Sequence, residues 1–213
     1  NKQDALRYVL TVNAPETKDN DFTWRDFQSR NNNELVAIYG NFVNRVVVLT
    51  NKYYDGIIPA KVEIDDQAKE VLNKIDQQIK LIYKLIEKFK FRESCNEYIN
   101  IARYGNKYLT DQEPWKIIKN DPEKVKNIMF VALHICSVLS VIGEPFLPFA
   151  SKKLKEILNY SSHNVTWDWD SLYSGKKLIT SGVKINKSEL LFEKIEDSEI
   201  EYQLEKLNNS KSA

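Results

Sequence analysis

The stretch from Ile128 to Ile142, "IMFVALHICSVLSVI", constrains this chain more than any other. It is apolar on nearly every side, so a helix built from it must be surrounded by other elements. Asp121 is placed to cap that helix and Pro122 falls at its first position, while Gly143 and Pro145 close it. The apolar run is too short to span a bilayer and contains His134, so it reads as the central helix of a bundle. At 213 residues the chain has ample material for the surrounding layer. Only 6 glycines and 6 prolines leave too few turn residues for an all-β fold. We therefore expect an all-α helical bundle.

Residues Ala68, Val71, Leu72, Ile75, Ile79, Ile82, Leu85, Ile86 and Phe89 form a near-continuous stripe at helical spacing, which predicts a helix from Asp65 to Phe89. A short amphipathic helix is predicted over Asp4 to Val12, followed by a polar connector from Asn13 to Asp21. Thr23 opens a long helix that runs to Asp55-Gly56, with a bend expected near Asn31 to Asn33. Another helix spans Arg92 to about Asp111, with Cys95, Tyr98, Ile99, Ala102 and Leu109 turned inward. It stops at "DQEPW", where Pro114 forces Glu113 out of the α region. Ala150 to Leu158 makes one more short helix. Beyond Asn159 the pattern becomes irregular, with an extended piece expected at Lys177 to Ile179. "NKSELLFEKIEDSEIEYQLEKL" then resumes a polar helical pattern, and "NNSKSA" reads as a frayed end.

Several kinds of chemistry are missing from the sequence. There is no GxGxxG or GxxxxGK phosphate loop and no GxSxG elbow. The two histidines, His134 and His163, have no ligand spacing, so no metal site is expected, and His134 reads as a satisfied core residue. Cys95 and Cys136 lie at apolar helix positions and read as buried free thiols, as in a reducing cytosol. Glu193, Glu196, Asp197, Glu199 and Glu201 are spread around a polar helix and read as a solvated face. With a formal net charge of +1, any contact with nucleic acid must be local rather than a broad basic field. No signal peptide is present and the first residue is Asn, so we expect a piece of a longer chain without catalysis of its own.

Two features call for a role beyond packing. In "GNFVNRVVVLTNKYYDG" the residues Asn41, Asn44, Arg45, Asn51 and Lys52 share one helical face, interrupted only by Val48. That face is either solvated or carries a recognition pair, Asn41 and Arg45, four residues apart. Trp115 follows Pro114 at a helix end, where it either caps the bundle or stays accessible. An accessible indole beside a guanidinium and a carboxamide suits single-stranded RNA, whose splayed bases stack on rings and offer their edges to such groups.

"GNFVNR", "GNKYLTDQEPWKIIK" and "EPFLPFASKKLKEIL", with "DALRYVL" before them and "LLFEKIED" after, resemble the anticodon-binding domain of methionyl-tRNA synthetases. The resemblance runs from Asp4 to about Asp197. "GNFVNR" with "EPWK" is fairly specific to the methionine enzymes, whereas "PFLPF" is shared more loosely among class I synthetases. It implies that residues 1–21 end the connection from a catalytic part, 22–160 form the anticodon-binding bundle, and 161–213 fold back toward the catalytic body. The anticodon-reading residues would be Asn41, Arg45 and Trp115, with Asn44, Pro114 and Lys116 beside them. The chain departs from the family pattern at Thr110, where relatives often carry an acidic residue.

The implied partners are the anticodon loop of tRNA-Met and the catalytic domain of the same chain, in the cytoplasm and away from membranes. No cofactor is expected in these residues; ATP, and zinc where the family uses it, would belong to the catalytic part. Two other readings stay open on the residues alone: a helical protein-interaction scaffold with Trp115 and Arg45 as its contact points, or the same fold serving another class I synthetase.

Overall fold

Caps and punctuation decide where each helix starts and stops. The computed structural model describes residues 2–16, 19–60 and 65–211. Its α-helices are α1 (Lys2–Val12), α2 (Trp24–Arg30), α3 (Asn41–Tyr54), α4 (Asp66–Glu87), α5 (Phe91–Gln112), α6 (Pro114–Ile117), α7 (Pro122–Ile142), α8 (Pro148–Ile157), α9 (Trp169–Tyr173) and α10 (Asp197–Lys211). Thr23, Asp65, Asp121 and Asp168 each accept a hydrogen bond from the backbone amide three residues on, at 2.7–3.1 Å. Each such cap contributes about 1 kcal/mol. The expected "frayed" end falls partly in α10 and partly outside the described residues.

Helix α7 lies at the centre, with every residue from Ile128 to Ile142 buried. By length and composition it could cross a membrane, but α3, α4, α5 and α8 pack around it. One continuous apolar core reaches from Ala5 in α1 to Ile200 in α10. Asp4 of α1 is fully buried because its carboxylate caps another helix. It accepts the amides of Phe149 (3.4 Å) and Ala150 (2.7 Å) in the first turn of α8. Burial raises its pKa, and those two amides pull against that rise.

Between Trp24 and Tyr54 the backbone stays helical, but Asn31–Gly40 is a π-helix joining α2 to α3. The site of the bend expected near Asn31 is where this π-helical stretch begins. Its entry is held from outside. Asn31 donates to the carbonyl of Glu193 at 2.9 Å, while Asn32 donates to the carbonyl of Ile195 and accepts its amide, both at 2.9 Å. Downstream of that stretch, α3 and α5 approach closely at Gly105. A methyl group there would lie within 2.8 Å of three ring carbons of the fully buried Phe42.

Several sequence expectations are corrected. Phe89 leaves the α4 stripe because it adopts φ 57° after the helix ends, and it is 76% exposed. The extended piece expected at 177–179 forms no strand; among the described residues the single isolated bridge joins Ile57 to Lys184. Residues 186–196 are not helical but form an extended strap along the π-helix and α3, and the C-terminal helix starts only at Asp197. At Glu193 and Ile195 the strap's backbone is held by the asparagine side chains just named and by Gln28, which donates to the Ile195 carbonyl at 3.1 Å. Those bonds replace the helical ladder that the residue pattern suggests.

His134 is buried as expected but is not satisfied: its Nδ1 has no hydrogen-bond partner. It lines a cavity with Lys69, Asp76 and Lys177. Burial, with Lys177 adding to it, lowers its pKa to about 4. The unfolded chain, with an ordinary histidine, takes up the proton first as pH falls through about 6.5. The neutral-form stability is therefore complete above that pH and is lost between there and about 4, by about 3 kcal/mol in all. His163 is depressed in the same direction, mainly by burial. Urea unfolding at pH 7.5 and pH 5 should show this slope, flattened in His134→Leu; an equal slope in the variant would assign it elsewhere.

Candidate nucleic-acid interface

Helix α5 ends because Glu113 adopts φ 43°, and Pro114 then opens the single turn of α6. The Glu113 amide still bonds the Leu109 carbonyl at 3.1 Å, so the turn is fixed to the end of α5. This places the Trp115 indole against α3. The Arg45 guanidinium carbon stands 5.2 Å from the ring centroid, a cation–π distance. The indole is nevertheless 39% exposed, so it does not merely plug the end of the core.

Arg45 is half-buried, and that burial lowers its pKa from the usual arginine value. It remains a cation at neutral pH. Its Nη1 donates to Asn106 Oδ1 at 3.3 Å, and Asn106 Nδ2 donates to the Ile38 carbonyl of the π-helix at 2.8 Å. The partner on Arg45 is thus a neutral carboxamide, which leaves the positive charge available to a ligand. Asn41, one helical turn before Arg45, is exposed and lines a groove of about 440 Å³ between α3 and the strap, with Ala37, Gly40 and Leu190. The structure brings Arg45 and Trp115 together and leaves Asn41 one turn away beside the strap; a guanidinium edge and a ring face can stack on a planar base and donate to its acceptors.

The other predicted residues fall differently. Asn44 is taken up by the strap, because its Oδ1 accepts the Ser188 hydroxyl at 2.6 Å. Asn51 bonds the carbonyls of Val47 and Asn186, so the polar face of α3 is half covered rather than wholly solvated. Pro114 is buried beneath the turn it creates. Lys116 is exposed and pairs with Glu113 at 2.6 Å. Thr110 and Lys52 are exposed. Asn106 is the residue that sequence reasoning passed over. Its only local mark is a Gly-Asn pair like that at Gly40-Asn41, and its partner Arg45 lies 61 positions away.

Residues 58–212 match the family described as the anticodon binding domain of methionyl tRNA ligase. The chain belongs to that family. Residues 1–47 match a second description, tRNA synthetases class I (M), so Arg45 and Trp115 come from different matched segments of the methionyl-tRNA ligase pattern. Among similar proteins, the methionine–tRNA ligase of Christiangramia forsetii is 58% identical over 214 residues, covering all of this chain and 31% of that protein. That of Flavobacterium johnsoniae is 51% identical over 235 residues, covering all of the chain and 33% of the relative. The chain therefore spans about a third of the length of these curated relatives. Its fold also matches the apo form of Mycobacterium tuberculosis methionyl-tRNA synthetase, with a TM-score of 0.80 at 19% identity over 91% of this chain and 39% of that one.

Proposed function

We propose that this chain reads the CAU anticodon of tRNA-Met for a methionine–tRNA ligase whose catalytic part lies outside these residues. The observation that carries the reading is the Arg45 guanidinium stacked at 5.2 Å on an indole that remains accessible. In this reading Trp115 supplies a stacking platform, and Arg45 and Asn41 donate to the base edge. The whole ligase would join methionine to its tRNA with ATP in the cytoplasm, and any zinc would belong to the catalytic part. The buried thiols of Cys95 and Cys136, both pushed up in pKa by burial, suit such a reducing setting. The chain alone is expected to give no methionine-dependent ATP–pyrophosphate exchange.

Titration of labelled anticodon stem-loops tests the proposal, with CAU compared against altered triplets. Arg45→Ala should weaken CAU binding and relax discrimination more than Lys52→Ala. The guanidinium can stack and donate paired hydrogen bonds, whereas the exposed lysine adds mainly charge. Equal losses in the two variants would mean that α3 offers only a basic surface. Indifference to the triplet would favour a protein-binding scaffold, and preference for a different triplet another synthetase.

A further inference from the structure

We propose that Asn106 is a positioning residue for anticodon recognition: it fixes the edge of the Arg45 guanidinium over Trp115 before RNA arrives. This rests on the RNA-reading role given to Arg45 above. The orientation of the Asn106 amide follows from chemistry alone. A carbonyl can only accept and a guanidinium can only donate, so Nδ2 must face Ile38 and Oδ1 must face Arg45. One side chain on α5 therefore ties together two points of the long helix, the Ile38 carbonyl in the π-helix and Arg45, about one turn into α3. The arrangement depends on the neighbouring residue. Gly105 lets α5 approach Phe42 closely enough for a side chain as short as asparagine to span the gap.

The Ile38 carbonyl does not rely on Asn106 for satisfaction, because the backbone amide of Asn41 also donates to it. Removing Asn106 therefore orphans no buried backbone group, and its second bond is left with the task of holding Arg45. With Trp115 on one side and Asn106 at its edge, the guanidinium is confined in the RNA-free chain. A long side chain ordered beforehand loses less freedom on binding, which is worth about two- to twelvefold in affinity for one such residue.

The test is a double-mutant cycle on the 213-residue chain, read as affinity for CAU and altered stem-loops alongside the unfolding midpoint. Asn106→Ala and Asn106→Leu should each weaken CAU binding by about two- to twelvefold and lower discrimination. Neither should have a further effect in the Arg45→Ala background. Leucine keeps the volume of the side chain and removes its polarity, so wild-type affinity in Asn106→Leu would reduce Asn106 to a spacer and overturn the proposal. Equal losses with and without Arg45 would overturn it too, since a structural residue acts in both backgrounds. Failure of the unaltered chain to prefer CAU is a separate result, and it would overturn the anticodon reading itself.

Discussion

Trp115→Ala is expected to weaken binding of a CAU stem-loop by about 1–3 kcal/mol, on the order of 5- to 150-fold, with little change in fold stability. The separation of the two effects follows from where the ring stands. It is 39% exposed on a single helical turn, so its loss leaves no enclosed cavity in the core. A buried tryptophan would instead cost about 3–5 kcal/mol of stability on truncation. Trp115→Phe should recover part of the affinity through its smaller ring face. The slope of log affinity against log salt should stay nearly constant in both variants, because stacking releases no counterions. Denaturant midpoints and RNA titrations on the same two proteins decide the matter: a large stability loss with unchanged affinity would remove Trp115 from the interface.

Gly105→Ala is expected to destabilise the protein by up to about 2 kcal/mol net, against the usual sign for such a change in a helix. Helix propensity alone favours alanine over glycine by about 1 kcal/mol. The opposing term is larger here, because the new methyl group meets three carbons of the Phe42 ring within 2.8 Å and that ring is fully enclosed. Relief requires α5 and α3 to separate, which would also lengthen the Arg45–Asn106 contact. The variant should therefore lose RNA affinity along with stability. Phe42→Leu placed in the same chain should restore part of the midpoint, a non-additivity that independent sites would not give. A midpoint raised by the single substitution would show that the helices have slack at this point.

The parts of the fold legible in the sequence are those fixed by local chemistry. Asp121 and Pro122 mark the start of α7, Asp65 marks the start of α4, and Pro114 ends α5 with Glu113 in the left-handed region. What misled was local pattern without a local cause. Leu191, Phe192 and Ile195 are buried at a spacing that imitates a helix, yet their segment is extended. The groups that hold it, Asn31 and Asn32, lie more than 160 positions away. Phe89 keeps the period of the α4 stripe, but the chain turns before reaching it. At the candidate site, the pairing of Arg45 with Trp115 came from resemblance to a family and not from spacing. Asn106 lies within "GNKYLTDQEPWKIIK", a stretch that carries the resemblance, but neither that likeness nor its spacing announces a partner 61 residues away.

The carboxylate of Asp4 has a consequence for the order of events on the ribosome. It caps a helix whose amides lie 145 and 146 positions later, so α1 emerges well before α8, the partner that Asp4 caps. At about 5–20 residues per second, that interval is on the order of ten seconds. Until then the α1 face that buries Tyr8 and Val9 has only its earlier neighbours, α2, the π-helix and α5, to cover it. Exchange of the Ala150 amide with solvent, slow only once Asp4 has docked, would time the closing of that gap.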